Sequence, residues 1–307
     1  MNLGRRIRGR LGRERVALQT KAKATIAAGA TQLEYTRRVR WRNRPTTYRV
    51  VRGLSQVSAP RIVGMIRLRD EALLLNDTLD HLAGIVDTII VFDDASTDRS
   101  VEIALAHPAV HEVIRNRSWR SDNRIWEETA NRRLLMQRAR RLSPEWVFYS
   151  DADERFEGDI RTFLLDECPA DVTSVRVSLF DAYLTESDAR AFTPTDRLWN
   201  FRSRFGPERR NILMAWRLLP GVDYRLPDSR EPQGITGTTV VRFSCQHYGK
   251  ALSVEQWDET CRYYMAHFPA LYRDKWAARL GKAIHTESDF GRPLYSWSDV
   301  RDHAVDI

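Results

Sequence analysis

A chain of 307 residues that is 42% hydrophobic and 29% charged can bury one large domain with appendages. No apolar stretch in it approaches the ~20 residues of a membrane-spanning helix. The net charge of +8 is uneven: residues 1–52 hold 15 Lys/Arg against only Glu14 and Glu34, and the remainder, with 34 basic and 39 acidic residues, is mildly acidic. Cys168, Cys245 and Cys261 form no CxxC pair, which argues against a disulfide framework or zinc site and fits small buried side chains in a reducing cytoplasm.

The first 56 residues read as a basic, partly helical arm. Leu3, Ile7 and Leu11 stripe one helix face, 16–30 is alanine-rich, and arginines recur from Arg37 to Arg44 around Trp41. Such an arm fits an anionic membrane surface at the inner face of a membrane or, as a second candidate, nucleic acid. A solvated extension is the plain alternative. The segment lacks the apolar core of a secretory signal, and its Arg-rich, acid-poor composition is also that of a transit peptide.

From Arg61 strand and helix signals alternate: a strand at 61–66, a helix at 71–82, a strand at 87–92, a helix through Leu105, a strand at 111–114 and a helix at 125–141. The strand Trp146–Ser150 follows. This rhythm predicts an α/β fold with a mainly parallel, doubly wound sheet. Beyond Glu154 the rhythm breaks. A short helix at 159–165, strands at 172–183, 212–219 and 238–248, and helices at 253–267 and 272–282 are expected, with Ser253 and Gln256 as a capping box. Between them, 184–210 is a polar, arginine-rich segment suited to a lid or an acceptor site. The expected division is an arm at 1–56, a domain at 57–285 with halves 57–157 and 158–285, and a tail at 286–307.

Two of these strands end in carboxylates. Asp93 and Asp94 follow the strand at 87–92, and Asp151, Asp153 and Glu154 follow Trp146–Ser150. Clustered carboxylates repel one another, so they sit in water or hold a cation. In open α/β sheets ligands bind beyond the carboxyl ends of strands, where strand order reverses. Two acidic strand ends therefore predict one crevice for a nucleotide diphosphate and a metal ion.

Residues 61–98, with Asp70-Glu71 and the DDxSTD turn, and WVFYSDADE at 146–154 together resemble family 2-like glycosyltransferases of the GT-A fold. The resemblance covers about 61–157 well and 211–268 loosely. It implies a metal-dependent, inverting transfer of sugar from a nucleotide-diphosphate sugar, UDP-linked by preference, to a hydroxyl of a glycan, lipid-linked or other macromolecular acceptor. It implies that Asp94, beside Asp93, contacts the base. Asp151 would contact ribose or metal, and Asp153 would hold Mn2+ or Mg2+. Asn131 falls near the family's Arg-Asn element, and Arg124 and Arg132 lie where a diphosphate- or base-contacting arginine is expected. His247 in QHYG resembles the downstream histidine that completes the metal site. Inverting transfer needs a carboxylate base. Glu231 in DSREPQG is the candidate, although Arg230 replaces the family's preceding His, and Glu208 and Asp228 compete with it.

Two other functions fit parts of the pattern. A haloacid-dehalogenase-type phosphatase would use Asp151 as nucleophile in its DxD, but Arg155 stands where that family has Thr or Val. A non-enzymatic protein would bind nucleic acid or membrane through its basic arm.

Overall fold

The computed structural model describes residues 47–307 except 122, 123, 228 and 269, together with 36, 37 and 40. The expectations for 1–35, and for most of 36–46, lie outside the described residues.

The strands are β1 Tyr48–Arg52, β2 Ile62–Leu68, β3 Thr88–Asp93, β4 Val110–Asn116, β5 Trp146–Ser150, β6 Glu154–Glu157, β7 Val172–Asp181, β8 Glu208–Arg217, β9 Thr238–His247 and β10 Val305–Asp306. They form one sheet in the order β1-β4-β3-β2-β5-β8-β7-β9-β6, with β10 on β8. The helices are α1 Leu75–Ala83, α2 Ser100–Ala106, α3 Arg124–Arg140, α4 Val254–His267 and α5 Ala270–Ala277. The class is the expected α/β, a mixed sheet flanked by helices. Its first half is parallel, as β2 pairs in parallel with both β3 and β5, and β3 with β4. Antiparallel β8 then joins β5 to the second half.

Alternation along the central strands divides the core. Ile62 and Ile66 of β2 with Ile89 and Val91 of β3 pack toward α1 on one face. Val63 and Met65 with Ile90 and Phe92 pack against Leu134 and Leu135 of α3 on the other. This two-residue period against helices on both faces is what a buried parallel sheet requires.

Three boundaries differ from the sequence reading. Tyr48–Arg52, placed in the arm, is an edge strand paired antiparallel with β4, Val50 opposite Ile114. Residues 286–307, the expected tail, pack back onto the domain: Tyr295 and Phe205 exchange backbone hydrogen bonds of 2.8 and 2.9 Å, Val300 is fully buried, and β10 pairs with β8. The regular part of the first helix begins at Leu75 rather than Glu71. It follows a turn in which the Glu71 carbonyl accepts the N–H groups of Leu74 and Leu75, and the leading N–H groups find side-chain partners. Those of Glu71 and Ala72 donate to Ser100 Oγ (2.8 Å) and Asp98 (2.9 Å). The expected Ser253 cap forms, its hydroxyl accepting the Gln256 N–H at 3.1 Å.

Candidate active site

Strand order reverses between β2 and β5. The sheet continues from β2 through β3 and β4 on one side and starts again with β5 on the other. Asp151 and Asp153 emerge from β5 at this switch point, the place for a ligand crevice in such a sheet.

The turn carrying them is anchored from behind. Arg155, 1% exposed, donates to Asp77 of α1 (2.7 Å) and to the Ala152 and Glu154 carbonyls (3.2 and 2.7 Å), and Thr78 Oγ1 donates to the Ala152 carbonyl at 2.6 Å. The chain then enters β6, a four-residue strand too short and too charged (ERFE) to be read from sequence. Its register sets Glu154 opposite His247 of β9. On β9's other side, Asp181 of β7 also lies opposite His247.

These pairings join the distant halves of the chain at one point. His247 Nε2 lies 3.4 Å from Asp153 Oδ2, and its Nδ1 lies 2.6 Å from Asp181 Oδ1. Burial opposes charge on the imidazole, but Asp153 and Asp181 more than reverse this and raise its pKa to about 10. Gly249 makes the approach sterically feasible, since a Cβ there would lie 2.7 Å from Asp153 Oδ2 and 3.0 Å from His247 Nε2.

Asp151 is held differently. Its Oδ2 accepts from Arg230 Nε (3.0 Å) and its Oδ1 from the Tyr149 hydroxyl (3.1 Å), whose oxygen in turn accepts from Arg132 Nε at 3.0 Å. Burial would raise this carboxyl, but Arg230, Arg132 and Arg67 outweigh it and keep Asp151 ionised. Arg230 also forks onto both oxygens of Glu154 at 2.5 and 2.7 Å, and Glu154 accepts the Asp151 N–H at 2.9 Å. Glu154, given no role from sequence, thus closes the turn, and the arginine replacing the family's histidine spans both acids.

Other sequence candidates are placed less openly. Asp93 is 1% exposed and accepts the Ser96 N–H at 3.1 Å, shaping the turn. Asp94 is wholly buried, ion-paired to Arg124, 3.5 Å from Arg67 and accepting from Asn116 Nδ2 at 2.7 Å. Asp94 and Arg124 thus pair with each other at the end of β3, and Trp119 lies 5.3 Å from the Arg124 guanidinium. Arg132 is 6% exposed and acts on the site through Tyr149, its Nη1 donating to the Ser229 carbonyl at 3.3 Å.

Glu231, 34% exposed at its side chain, forks with Arg176 at 2.7 and 2.9 Å and accepts the Leu213 N–H at 3.1 Å, linking β7 and β8. Glu208 is buried against Ser288, and Asp228 lies outside the described residues. Arg197, Arg202 and Arg209 of the suspected lid are paired with Asp80, Asp188 and Asp306.

Sequence reasoning passed over Glu71 as a site residue. Burial, then Asp153 and Asp151 nearby, push its carboxyl well above the usual range, placing a third acid beside the crevice. The Asp70-Glu71 element was the available signal. Asp181 was missed because it stands alone in a strand.

No family model matches the chain. Over 106 residues it is 40% identical to uncharacterized proteins of Mycobacterium bovis and Mycobacterium tuberculosis, a match spanning 33% of this chain and 25% of theirs. Among solved structures it is similar to a mannosyltransferase from Pyrobaculum calidifontis in complex with GDP-Man and Mn2+, at 19% identity and TM-score 0.35 over 85% of this chain and 75% of that one. It is also similar to a glucosyl-3-phosphoglycerate synthase from Mycobacterium tuberculosis in complex with Mn2+, UDP and glucosyl-3-phosphoglycerate, at 19% identity and TM-score 0.25 over 39% and 44% of the two chains. A putative nucleotide-diphospho-sugar transferase from Desulfovibrio desulfuricans matches at 8% identity and TM-score 0.31 over 71% and 93%.

Proposed function

We propose that this chain is a metal-dependent glycosyltransferase of the family 2-like, GT-A type. It would transfer sugar from a nucleotide-diphosphate donor, UDP-linked by preference, with inversion, to a hydroxyl of a glycan or lipid-linked acceptor. The observation that carries the reading is the meeting of Asp153 and His247 over Gly249, at the switch point beside Asp151.

Of Mn2+ and Mg2+, the donor set fits Mn2+ better: a carboxylate oxygen and an imidazole nitrogen face each other where Gly249 leaves room, and Mg2+ takes oxygen ligands almost alone. Among the described residues no three His, Cys, Asp or Glu side chains converge on one point. Two protein ligands would thus leave the other positions to phosphate oxygens and water, the usual arrangement for Mg2+-type ions at phosphate sites. Asp153 and His247 would hold the ion, which when bound would neutralise charge on the diphosphate leaving group.

The chain's own groups would do the rest. Asp151, 32% exposed at its side chain and kept ionised, would accept hydrogen bonds from the donor ribose. Arg230 and Tyr149 would fix its orientation. Asp94 and Arg124 would act as a buried brace for the end of β3. No base is assigned; Glu231, the carboxylate the sequence offered, pairs with Arg176.

The phosphatase reading requires Asp151 free to attack phosphorus, and its two hydrogen bonds to Arg230 and Tyr149 oppose this. Among the described residues no helix is long and apolar enough to cross a membrane. Membrane-surface or nucleic-acid contact through the basic arm remains a proposal drawn from its charge. A screen of UDP- and GDP-sugars with Mn2+ tests the function. Slow nucleotide release by the wild type and none by Asp153→Ala is expected, and no release from any donor, with or without candidate acceptors, would refute it.

A further inference from the structure

We infer that Asp181 is a positioning residue that fixes the tautomer and orientation of His247, so that Nε2 faces the position where Asp153 would share a metal ion. This rests on the metal-dependent function proposed above and deepens it.

The arrangement follows from the sheet. Asp181 ends β7, and the parallel register with β9 sets it directly opposite His247. Paired residues project to the same face, so their side chains meet without distortion. Two backbone bonds lock the pair in place: the Ala182 N–H donates to the His247 carbonyl (2.8 Å), and the Gly206 N–H to that of Asp181 (3.0 Å). The Nδ1 contact to Asp181 Oδ1 is 2.6 Å, shorter and better defined than the 3.4 Å from Nε2 to Asp153. An imidazole whose Nδ1–H is committed to a carboxylate has one nitrogen left for a metal, Nε2, and such a partner also raises its basicity.

Asp181 is itself held as an anion. Arg210 pairs with Oδ1, and Lys250 Nζ lies 3.1 Å from Oδ2. Lys250 is 7% exposed and is fixed in turn by Asp289 at 2.8 Å and the Tyr183 hydroxyl at 3.2 Å. With a cation against each of its oxygens, Asp181 faces Nδ1 as a hydrogen-bond acceptor. The line Lys250–Asp181–His247 thus runs from the segment around Asp289 to His247.

The test is a Mn2+ titration, by electron paramagnetic resonance and in the presence of UDP, of the wild type, Asp181→Asn, His247→Gln and the double variant. Asparagine keeps the shape but can offer N–H to Nδ1, which favours the wrong tautomer. Asp181→Asn should weaken Mn2+ binding 10- to 100-fold, the usual effect of losing such a partner, and should add nothing once His247 is Gln. Equal losses in both backgrounds, or none in either, would overturn the inference while leaving the donor site intact. A wild type that binds no Mn2+ would overturn the proposed function and this inference with it. Imidazole 15N spectra of the wild type loaded with Zn2+, a diamagnetic ion that binds imidazole, give a reading that needs no Asp181 variant to fold. His247 should carry its proton on Nδ1, and a proton on Nε2 would contradict the inference.

Discussion

Gly249 and Asp153 are in mutual steric dependence: a Cβ at Gly249 would lie 2.7 Å from the Asp153 carboxylate, inside any real contact. Gly249 needs no unusual backbone, so its small size serves the carboxylate and His247. Gly249→Ala should therefore lower Mn2+-dependent nucleotide affinity at least ~10-fold, while costing no more than ~2 kcal/mol of stability. Calorimetric titration and a denaturation curve on one preparation check both. A large stability loss with unchanged affinity would mean the glycine serves the fold.

Arg230 links the two acids of the DADE turn. Removing it leaves Glu154, 2% exposed, without its charge partner and frees Asp151. Breaking one side of a buried pair is costly, so Arg230→Met should destabilise the protein by about 3 kcal/mol, measured by urea unfolding. Arg230→Lys should recover only part of this, since one ammonium cannot span Asp151 and Glu154 as Nε and Nη2 do.

Glu231 separates the structural account from the sequence reading. Its salt bridge with Arg176 is partly exposed and of modest value, about 1 kcal/mol. Glu231→Gln should keep turnover within a few-fold of wild type, whereas loss of a catalytic base would reduce it by 10²–10⁴. Initial rates at saturating donor distinguish the two.

His81 predicts an acid limb in stability. Its Nε2 accepts the Phe156 N–H at 2.9 Å and its ring stacks on Phe156, anchoring β6 to α1. Burial, with Arg155 nearby, lowers its pKa to about 4. The unfolded chain protonates near 6.5, so between these values it binds more protons than the folded one. Stability from this group is thus complete above about pH 6.5 and falls as pH drops toward 4, by at most ~3 kcal/mol. His81→Gln retains an acceptor without a titration, and its urea midpoint should vary less between pH 7 and 5 than that of the wild type.

Much of the first half was legible because each of its signals is local. The apolar run Trp146–Ser150 matches β5 residue for residue, and the acids after it stand where strand order reverses. What was not legible depended on pairing across distance. The role of Glu154 needs Arg230, 76 residues away, and that of Asp181 needs the register of β7 on β9. The partner of Asp94 was hidden for the same reason: α3 brings Arg124 onto it from 30 residues away. Tyr48–Arg52 was masked by the charge of its neighbours, although its alternation places Tyr48 and Val50 against the core.

The central claim is that Asp153 and His247 hold a metal ion that secures a nucleotide diphosphate. Titrating UDP with and without Mn2+ against the wild type and Asp153→Ala tests it most directly. The account predicts at least a ~10-fold gain in wild-type affinity on adding Mn2+, or about 1.4 kcal/mol, and no such gain in Asp153→Ala. Wild-type UDP affinity that is the same with and without Mn2+ would contradict it.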